Sequence, residues 1–276
     1  IAAFGSFFYG RHYIADRQMP RGEYYILGLF SVLGMMAMVS ANSLVVIYLG
    51  LEVLSLPIYA MIALRRDSKI AVEASMKYFV MGAIASGMLL YGMSMIYGAT
   101  GSLQIDTIAA NIANAADASP VLISFGLVFL IAGIGFKFAA APFHMWAPDV
   151  YTGAPSTVTM FLSSAPKVAA VGMAFRLLVF ALPDLFIQWQ QLLMILAVFS
   201  LLIGNIIAIA QVNFKRMLAY SGISHIGFLL LGLIAGTAEG YTASLYYILI
   251  YVIMVLGGFS LIVFMRRAGL DAENIE

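Results

Sequence analysis

The stretch AGIGFKFAAAPFHMW, residues 132–146, decides which fold this chain can adopt. It places Lys137 inside an apolar run, and Pro142 then breaks the helix because proline has no backbone N–H to donate. Gly133 and Gly135 weaken the same helix before the lysine. Broken helices at membrane depth are tolerated where they line a cavity or pack inside protein, and transporters place their sites there. The stretch therefore predicts a membrane bundle with a polar site at the break; an inert structural lysine is the alternative.

The composition of the whole chain agrees with a membrane protein. Its 276 residues are 63% hydrophobic and 10% charged, with a mean hydropathy of +1.00, whereas soluble domains carry about 25% charged residues. The lack of cysteine excludes disulfides, thiol nucleophiles and iron–sulfur ligation by this chain. The sequence contains no phosphate-binding loop, dinucleotide glycine motif or metal-ligand spacing, and its net charge of +1 indicates no nucleic acid partner.

Apolar runs near twenty residues long recur along the chain and predict an all-α polytopic membrane protein. The predicted spans are 24–41, 43–64, 70–98, 121–141, 153–181, 190–210, 217–236 and 241–265, preceded by a helix tail at 1–10. A short helix lying at the membrane surface is predicted over 102–116, where the sequence has a helical period and little charge. Because the chain opens at Ile1 within an apolar run, we expect a fragment of a longer protein, with about eight to nine membrane helices.

The charged residues of the predicted loops divide between the two sides of the membrane by sign. The basic side carries Arg11, Arg17, Arg21, Arg65, Arg66, Lys69, Lys215, Arg216, Arg266 and Arg267, and the other side carries Asp106, Asp117, Asp184 and Glu239. Since cytoplasmic loops carry the excess of Lys and Arg, the basic side is predicted to be cytoplasmic. His144 falls on this side, and His12 is expected in a solvated loop. Arg176, near the outer end of its span, is expected to reach the lipid headgroups.

One glutamate and three lysines each lie inside a long apolar run, where a charge costs about 3 kcal/mol on insertion scales and normally faces a bundle interior. They are Glu52, Lys77, Lys137 and Lys167. Glu52, which precedes Pro57 in its span, is either a proton-accepting carboxylate or the partner of a buried lysine, with a structural anchor between helices as the alternative. Lys167 follows Pro166 at mid-span, and neighbouring serines can hold water beside it.

Lys77 and two histidines have more than one interpretation. Glu73 precedes Lys77 by one helical turn, so a surface salt bridge is the alternative to a functional lysine. His144 either shuttles protons near neutral pH or caps the broken segment, and His225, among the hydroxyl residues of YSGISHIGF, is a candidate relay. We interpret the buried charges as a path for ions that needs an external motor, because the chain carries no motor motif of its own.

The stretch GIGFKFAAAPFHMWAPDVYTGAPSTVTMFLSSAPKVA, residues 133–169, resembles the signature of the antiporter-like proton-translocating subunits of respiratory complex I. Three other stretches support the resemblance: LGLEVLSLPIYAMIAL at 49–64, EASMKYFVMGAIASG at 73–87 and NFKRMLAYSGISHIGF at 213–228. The resemblance implies a bundle of inverted five-helix repeats, each a half-channel with a broken helix. It further implies that residues 1–23 are the end of a preceding helix and a cytoplasmic loop, 24–181 the first repeat, and 182–276 three helices of the second.

The resemblance also implies roles for individual residues. Glu52 matches the mid-membrane glutamate of the family, and Lys137 matches the lysine of the broken helix, which is thought to pair with that glutamate. Lys167 matches the lysine that hands the proton onward, and Lys77 matches a lysine common on the helix before the break. His144 and His225 remain possible relays.

The implied activity is proton translocation in a bacterial inner membrane, coupled to NADH:quinone oxidoreduction in partner subunits. Those partners would hold NADH, FMN, iron–sulfur clusters and quinone, and this chain would hold no cofactor. Its expected partners are other membrane subunits of complex I and the lipid bilayer. Two alternatives stay open: a subunit of a multisubunit Na⁺/H⁺ antiporter or membrane-bound hydrogenase, and a scaffold with inert buried ion pairs.

Overall fold

The computed structural model of the chain describes residues 1–114 and 119–265, which form helices joined by short turns. The helices are α1 (Ala2–Asp16), α2 (Arg21–Ser40), α3 (Leu44–Ile62), α4 (Lys69–Thr100), α5 (Ile105–Asn114), α6 (Pro120–Phe138), α7 (Trp146–Gly153), α8 (Ser156–Ala174), α9 (Phe186–Ile209), α10 (Phe214–Ile234) and α11 (Ala238–Phe264). A π-helical segment, Phe175–Phe180, prolongs α8, and a 3₁₀ turn, Pro183–Leu185, precedes α9. Eight segments of the described chain are long and apolar enough to cross a membrane. The predicted polytopic helical architecture is therefore confirmed.

The predicted spans lie within a few residues of the observed helices, and the surface helix predicted over 102–116 is α5. Its apolar residues Ile105 and Ile108 are buried, while its other face is polar. Asp106 on that face accepts a hydrogen bond of 2.8 Å from Asn42, which ties α5 to the turn between α2 and α3. Three residues used in the loop-charge pattern, Asp117, Arg266 and Arg267, lie outside the described residues.

The first helix is longer than predicted. The prediction was a helix tail at 1–10 followed by a loop containing His12, whereas α1 continues to Asp16 and includes both Arg11 and His12. The helix continues because Tyr13 and Ile14 are buried against the bundle, so its packed face extends past the two exposed polar residues. The sequence prediction stopped where the apolar run stopped, and it overlooked that one buried face suffices to keep a helix.

The break after Lys137 lies where the sequence predicted it. α6 ends at Phe138, and Ala139 takes the left-handed conformation with φ of 57°. The N–H of Ala140 then donates 2.8 Å to the carbonyl of Gly135, which satisfies a carbonyl that the ending helix leaves open. Trp146, the first residue of α7, donates from Nε1 to the carbonyl of Phe136 at 3.0 Å. The two halves of the broken helix are thus bonded to each other across the turn.

α8 is the central helix of the bundle, and most of its residues are buried. It contacts α1, α2, α3, α6, α7 and α11. Around it, antiparallel neighbours approach closely at glycines: a Cβ on Gly34 of α2 would lie 2.7 Å from the carbonyl oxygen of Gly50 of α3. Small residues at such crossings let helix backbones pack tightly in a membrane. This packing places α3, α6, α8 and α10 around one interior, where the ionisable residues collect.

Candidate functional site

The first part of the site joins α3, α4 and α6. Glu52 of α3 accepts a short hydrogen bond from Ser86 of α4. One turn further along α3, Ser55 accepts a hydrogen bond of 2.6 Å from Lys137 Nζ at the end of α6, and Ser55 itself donates to the carbonyl of Leu51. The acidic and the basic group are therefore held one helical turn apart on the same side of α3.

The resemblance implied that Lys137 pairs with Glu52, and the structure arranges this pair differently. Within the described residues the two side chains form no direct ion pair, because the amine of Lys137 is bonded to Ser55 and the carboxylate of Glu52 to Ser86. Ser55 thus takes the direct hydrogen bond of Lys137, and its own hydroxyl donates to the carbonyl of Leu51 rather than to Glu52.

A small cavity connects Lys137 with Lys167 and forms the centre of the site. Its volume is about 10 Å³, about the least that can admit one water molecule. The lining residues are Leu54, Ile58, Tyr78, Lys137, Trp146, Leu162, Pro166 and Lys167. The cavity lies beside the break that follows α6 and beside Pro166, which is inside the continuous helix α8. Lys137 and Trp146, on either side of the break, thus share this space with Lys167.

Lys167 is 3% exposed and interacts with neutral groups of the second half of the chain. Its Nζ donates 3.4 Å to the carbonyl of Gly222 on α10 and 3.1 Å to the hydroxyl of Tyr251 on α11, and it also lies 5.1 Å from the centre of the Tyr251 ring. The serines expected to hold water near it, Ser163 and Ser164, both donate to the carbonyl of Met160 in their own helix.

His225 continues the polar line beyond Lys167. Its ring lies 5.4 Å from the ring of Tyr251, and its Nδ1 is 2.7 Å from the hydroxyl of Tyr247 on α11. Tyr251 is therefore shared by Lys167 and His225. The line of polar groups runs from Glu52 through the two lysines to this histidine and crosses from α3 to α11.

Lys77 belongs to a separate ion-pair cluster at the surface. Its Nζ lies 2.9 Å from a carboxylate oxygen of Glu73 and 3.0 Å from one of Asp149, and its side chain is 43% exposed. Arg216 at the start of α10 lies 2.8 Å from the other oxygen of Asp149. This geometry favours the salt-bridge interpretation of Lys77. Asp149, on α7, thereby connects α4 with α10.

Asp149 and His144, on the short helix and the turn after the break, have shifted pKa values. Burial alone would raise the pKa of Asp149, but the hydrogen bonds and charges of Arg216 and Lys77 outweigh it, so this pKa lies below the usual carboxyl range. Burial lowers the pKa of His144, which favours the neutral imidazole. The ring of His144 lies 6.5 Å from that of Tyr220, and His144 is not among the described residues that line the cavity between the lysines.

Comparison with known proteins identifies the family of this chain. A family profile described as NADH:quinone oxidoreductase/Mrp antiporter, TM, matches residues 41–276. The chain belongs to this transmembrane family. It is 54% identical over 275 residues to NADH-quinone oxidoreductase subunit N of Coxiella burnetii, a match that covers 100% of this chain and 57% of that protein.

Solved structures of related assemblies share the fold. A chain of respiratory complex I from Thermus thermophilus with bound aureothin aligns with a TM-score of 0.72 and 39% identity, covering 86% of this chain and 50% of that one. A chain of the membrane-bound sulfane sulfur reductase, an archaeal respiratory membrane complex, aligns with a TM-score of 0.80 and 32% identity, covering 89% and 50%. The chain thus spans about half the length of the family members it matches.

The sequence-based prediction for Lys215 is wrong. This lysine was counted in a cytoplasmic loop, but it lies in the first turn of α10, is 2% exposed, and donates 3.3 Å to the carbonyl of Ala154 at the end of α7. The carbonyl end of a helix carries partial negative charge, which stabilises a cation there. Lys215 therefore contacts the C-terminal end of α7 and Arg216 contacts Asp149 within it, and nothing in the local sequence distinguishes the two partners.

Arg176 was expected to reach the headgroups from the outer end of its span. In the structure its Nε donates 3.0 Å to the carbonyl of Val39 near the end of α2, and its guanidinium lies 5.7 Å from the centre of the Phe180 ring. The side chain therefore has protein partners at that end of the bundle. Like Lys215, it binds a carbonyl that an ending helix leaves open.

Several residues of the candidate site were not predicted from the sequence. They are Ser55, Ser86, Asp149, Tyr247 and Tyr251. Hydroxyl residues occur throughout apolar helices, and only their neighbours on other helices distinguish these from the rest. Across residues 1–114 and 119–265, no group of three or more His, Asp or Glu side chains could hold a metal ion.

Proposed function

We propose that this chain conducts protons within a membrane subunit of a proton-pumping NADH:quinone oxidoreductase, and that Lys137 and Lys167 carry the proton across its centre. The observation that carries the proposal is the cavity of about 10 Å³ that both lysines line beside the broken helix. The 54% identity to a subunit N supports the assignment to this complex. By this proposal residues 24–181 form one half-channel repeat, and residues 182–276 begin the second.

The proton enters the central path at Glu52 and Lys137. Ser86 holds the carboxylate and Ser55 holds the amine, so each group keeps a neutral hydrogen-bond partner when its charge changes. A proton reaching Lys137 repels one on Lys167 across the shared cavity, because like charges interact strongly where water is scarce. Loading the first lysine therefore drives release from the second.

Release from Lys167 leads towards α11. The hydroxyl of Tyr251 is 3.1 Å from the amine, and the ring of His225 lies beside Tyr251. A hydroxyl that both donates and accepts can pass a proton on, and histidine exchanges protons near neutral pH. Lys77 lies in the surface cluster, and its proposed role is to hold Asp149 and α7 in place, while His144 caps the broken segment.

The driving energy comes from partner subunits. Moving a proton against the membrane potential costs about 2.3 kcal/mol per 100 mV, so the charge states of the lysines must change in sequence. The chain has no cysteine and therefore no ligand set for an iron–sulfur cluster. We assign NADH, FMN, iron–sulfur clusters and quinone to the partners. The membrane is a bacterial inner membrane, with the basic loops in the cytoplasm.

A subunit of a Na⁺/H⁺ antiporter or a membrane-bound hydrogenase is the second candidate. It is kept because the family profile includes Mrp antiporters, and it differs from the first in partners and in ion rather than in the core charges. Purifying the native assembly separates the two. Flavin and iron–sulfur absorbance together with NADH:quinone activity supports the first candidate, and their absence supports the second.

Replacing Lys137 tests the proton path directly. The full-length protein carrying Lys137→Ala is assembled into the complex, and NADH-driven acidification of inverted membrane vesicles is measured. We expect pumping to fall about tenfold or more, since a positioned proton-transfer group contributes at least that much. Lys69→Ala, which removes an exposed lysine at the start of α4, is the matched control and should pump normally. Unchanged pumping by Lys137→Ala would instead support an inert scaffold.

A further inference from the structure

A second polar feature lies at the end of the bundle that carries the basic residues. Four helix ends meet there: Asp16 of α1, Arg21 of α2, Ile62 of α3 and Lys69 of α4. Between them is a pocket of about 500 Å³, whose charged lining includes Arg17, Arg65 and Arg66. Its lining shares no residue with the cavity between the lysines. Since membrane helices end where the hydrocarbon ends, the pocket lies at the level of the lipid headgroups.

The charges of this pocket sum to a positive value. Glu23 and Asp67 also line it, and Glu23 pairs with Arg66 at 3.3 Å. Both members of that pair are more than half exposed, and exposed ion pairs contribute little binding energy, so Arg66 can turn to another anion. Arg17 lies 5.4 Å from the centre of the Tyr13 ring. Three guanidinium groups facing two carboxylates leave the pocket able to attract a phosphate, which arginine binds in a two-pronged geometry.

An apolar groove leads from this pocket towards the bilayer interior. The groove has a volume of about 310 Å³ and shares Glu23, Leu64 and Arg66 with the arginine pocket. The apolar residues of its lining are Leu27 of α2, Ala60 and Ala63 at the end of α3, Leu64, and Val72 of α4. Leu27 is six residues into its helix, about 9 Å below the helix end at a rise of 1.5 Å per residue. The groove therefore lies at the depth of lipid acyl chains.

We propose that the arginine pocket and the groove together bind one anionic phospholipid, with its phosphate among Arg17, Arg65 and Arg66 and an acyl chain along Ala60 and Val72. A positive pocket at headgroup level and an apolar groove directly beneath it match the two parts of such a lipid in the right order. Free phosphate would use the pocket alone. The groove is what selects the lipid over the free anion, and the site is independent of the proton path.

Native mass spectrometry of the delipidated full-length protein tests the site. Phosphatidylglycerol and phosphatidylethanolamine with the same acyl chains are added separately, and the bound fraction is measured. We expect phosphatidylglycerol to bind more tightly, and the triple variant Arg17→Gln, Arg65→Gln, Arg66→Gln to weaken that binding about tenfold. The matched control removes the same charge from basic residues away from the pocket and its framing helix ends: Arg11→Gln, Lys77→Gln, Arg176→Gln. It should retain the lipid within about twofold.

Two further variants make the test decisive. Lysine at the three pocket positions keeps the charge and should keep most of the binding, which excludes misfolding as the cause of a loss. Ala60→Trp fills the groove and should weaken phosphatidylglycerol binding while inorganic phosphate binding stays unchanged. Equal losses in the two glutamine triples, equal binding of the two lipids, or full lipid binding by Ala60→Trp would each overturn the proposal. None of these outcomes bears on proton pumping, so the proposed function stands or falls separately.

Discussion

Lys77 and Lys167 are the same residue type in one bundle, yet their partners differ in charge. Lys77 is 43% exposed and lies between the carboxylates of Glu73 and Asp149. Lys167 is 3% exposed and donates to a carbonyl and a tyrosine hydroxyl. Removing the charge of Lys77 takes this cation away from Glu73 and Asp149, whereas Lys167 can change charge without stranding an opposite one. Under the proposed function, a buried position and a neutral partner together, rather than the lysine itself, distinguish the residues suited to proton transfer.

Lys137 belongs with Lys167 in this comparison, but with a carboxylate nearby. Glu52 lies one turn along α3 from Ser55, the residue that accepts the hydrogen bond of Lys137. The charge of Glu52 therefore acts on Lys137 through space while the direct bond goes to a hydroxyl. Lys137 is thus influenced by an acid without being fixed by it, which suits the entry point of a path that ends in neutral partners.

The largest effect is expected from Lys167→Met, which keeps the side-chain volume and removes the amine. Proton pumping by the assembled complex should fall about tenfold or more, because the cavity then has a proton acceptor at one end only. The folded protein should be as stable as the parent or more stable, since a buried charge exchanged for a well-packed apolar side chain often stabilises. Vesicle acidification and thermal unfolding measure the two effects. Normal pumping by this variant would show that the buried environment of Lys167 does not distinguish a proton-carrying lysine from Lys77.

A smaller effect is expected from Tyr251→Phe, which removes the hydroxyl 3.1 Å from Lys167 and keeps the aromatic ring. The lost hydrogen bond is worth about 1 kcal/mol, so pumping should slow by about fivefold and assembly should persist. Tyr246→Phe, on an exposed position of the same helix, is the matched control and should pump normally. If both variants pump alike, Tyr251 packs against Lys167 without passing protons.

The surface cluster should show its own signature in the pH dependence of stability. The folded pKa of Asp149 lies below its unfolded value, so its ion pairs stabilise the fold above the usual carboxyl range, near pH 4. That contribution is lost as the pH falls through the lowered pKa. We expect Asp149→Asn to be less stable than the parent at pH 7, by about 1 kcal/mol or less because the pairs are partly exposed. This difference in stability between the variant and the parent, which we call the stability gap, should disappear as the pH falls.

Thermal unfolding of the purified full-length protein between pH 7 and pH 3 measures this gap. Asp184→Asn, an exposed carboxylate near the start of α9, is the matched control and should match the parent across the range. A gap for Asp149→Asn that stays constant with pH would mean that the substitution disturbs packing. In that case, the ion pairs of Asp149 with Lys77 and Arg216 would not be what holds α7 in place.

The sequence supplied those features that depend on the local chain. The lengths of the apolar runs predicted the spans, and Pro142 predicted the break after Lys137, because both follow from backbone chemistry at that point. Features that depend on distant residues were missed. Lys215 is buried because the end of α7 lies across from it, and Tyr251 matters because Lys167 of another helix meets it. Neither fact has a signal in the residues around the position.

The family resemblance also predicted only part of the site. It matched Glu52 and Lys137 to an acidic and a basic member of a pair, and the structure brings them one helical turn apart. It does not specify that Ser55 and Ser86 take the direct hydrogen bonds. A family motif fixes residue types at positions, whereas which atoms bond depends on side-chain rotamers and on how closely the helices approach.

The smallest effect is expected from Lys77→Gln, which changes the exposed lysine instead of the buried one. Arg216 still holds Asp149 at 2.8 Å after this change, so α7 keeps its link to α10 and the buried lysines keep their cavity. Pumping should change by about twofold at most, as expected for one exposed member of a charge cluster. Glu73→Gln, which leaves the bond between Lys77 and Asp149 intact, should have less effect still. A loss of pumping as large as that of Lys167→Met would show that the proton path begins at the surface cluster, and that a lysine paired with carboxylates can also exchange its proton during turnover.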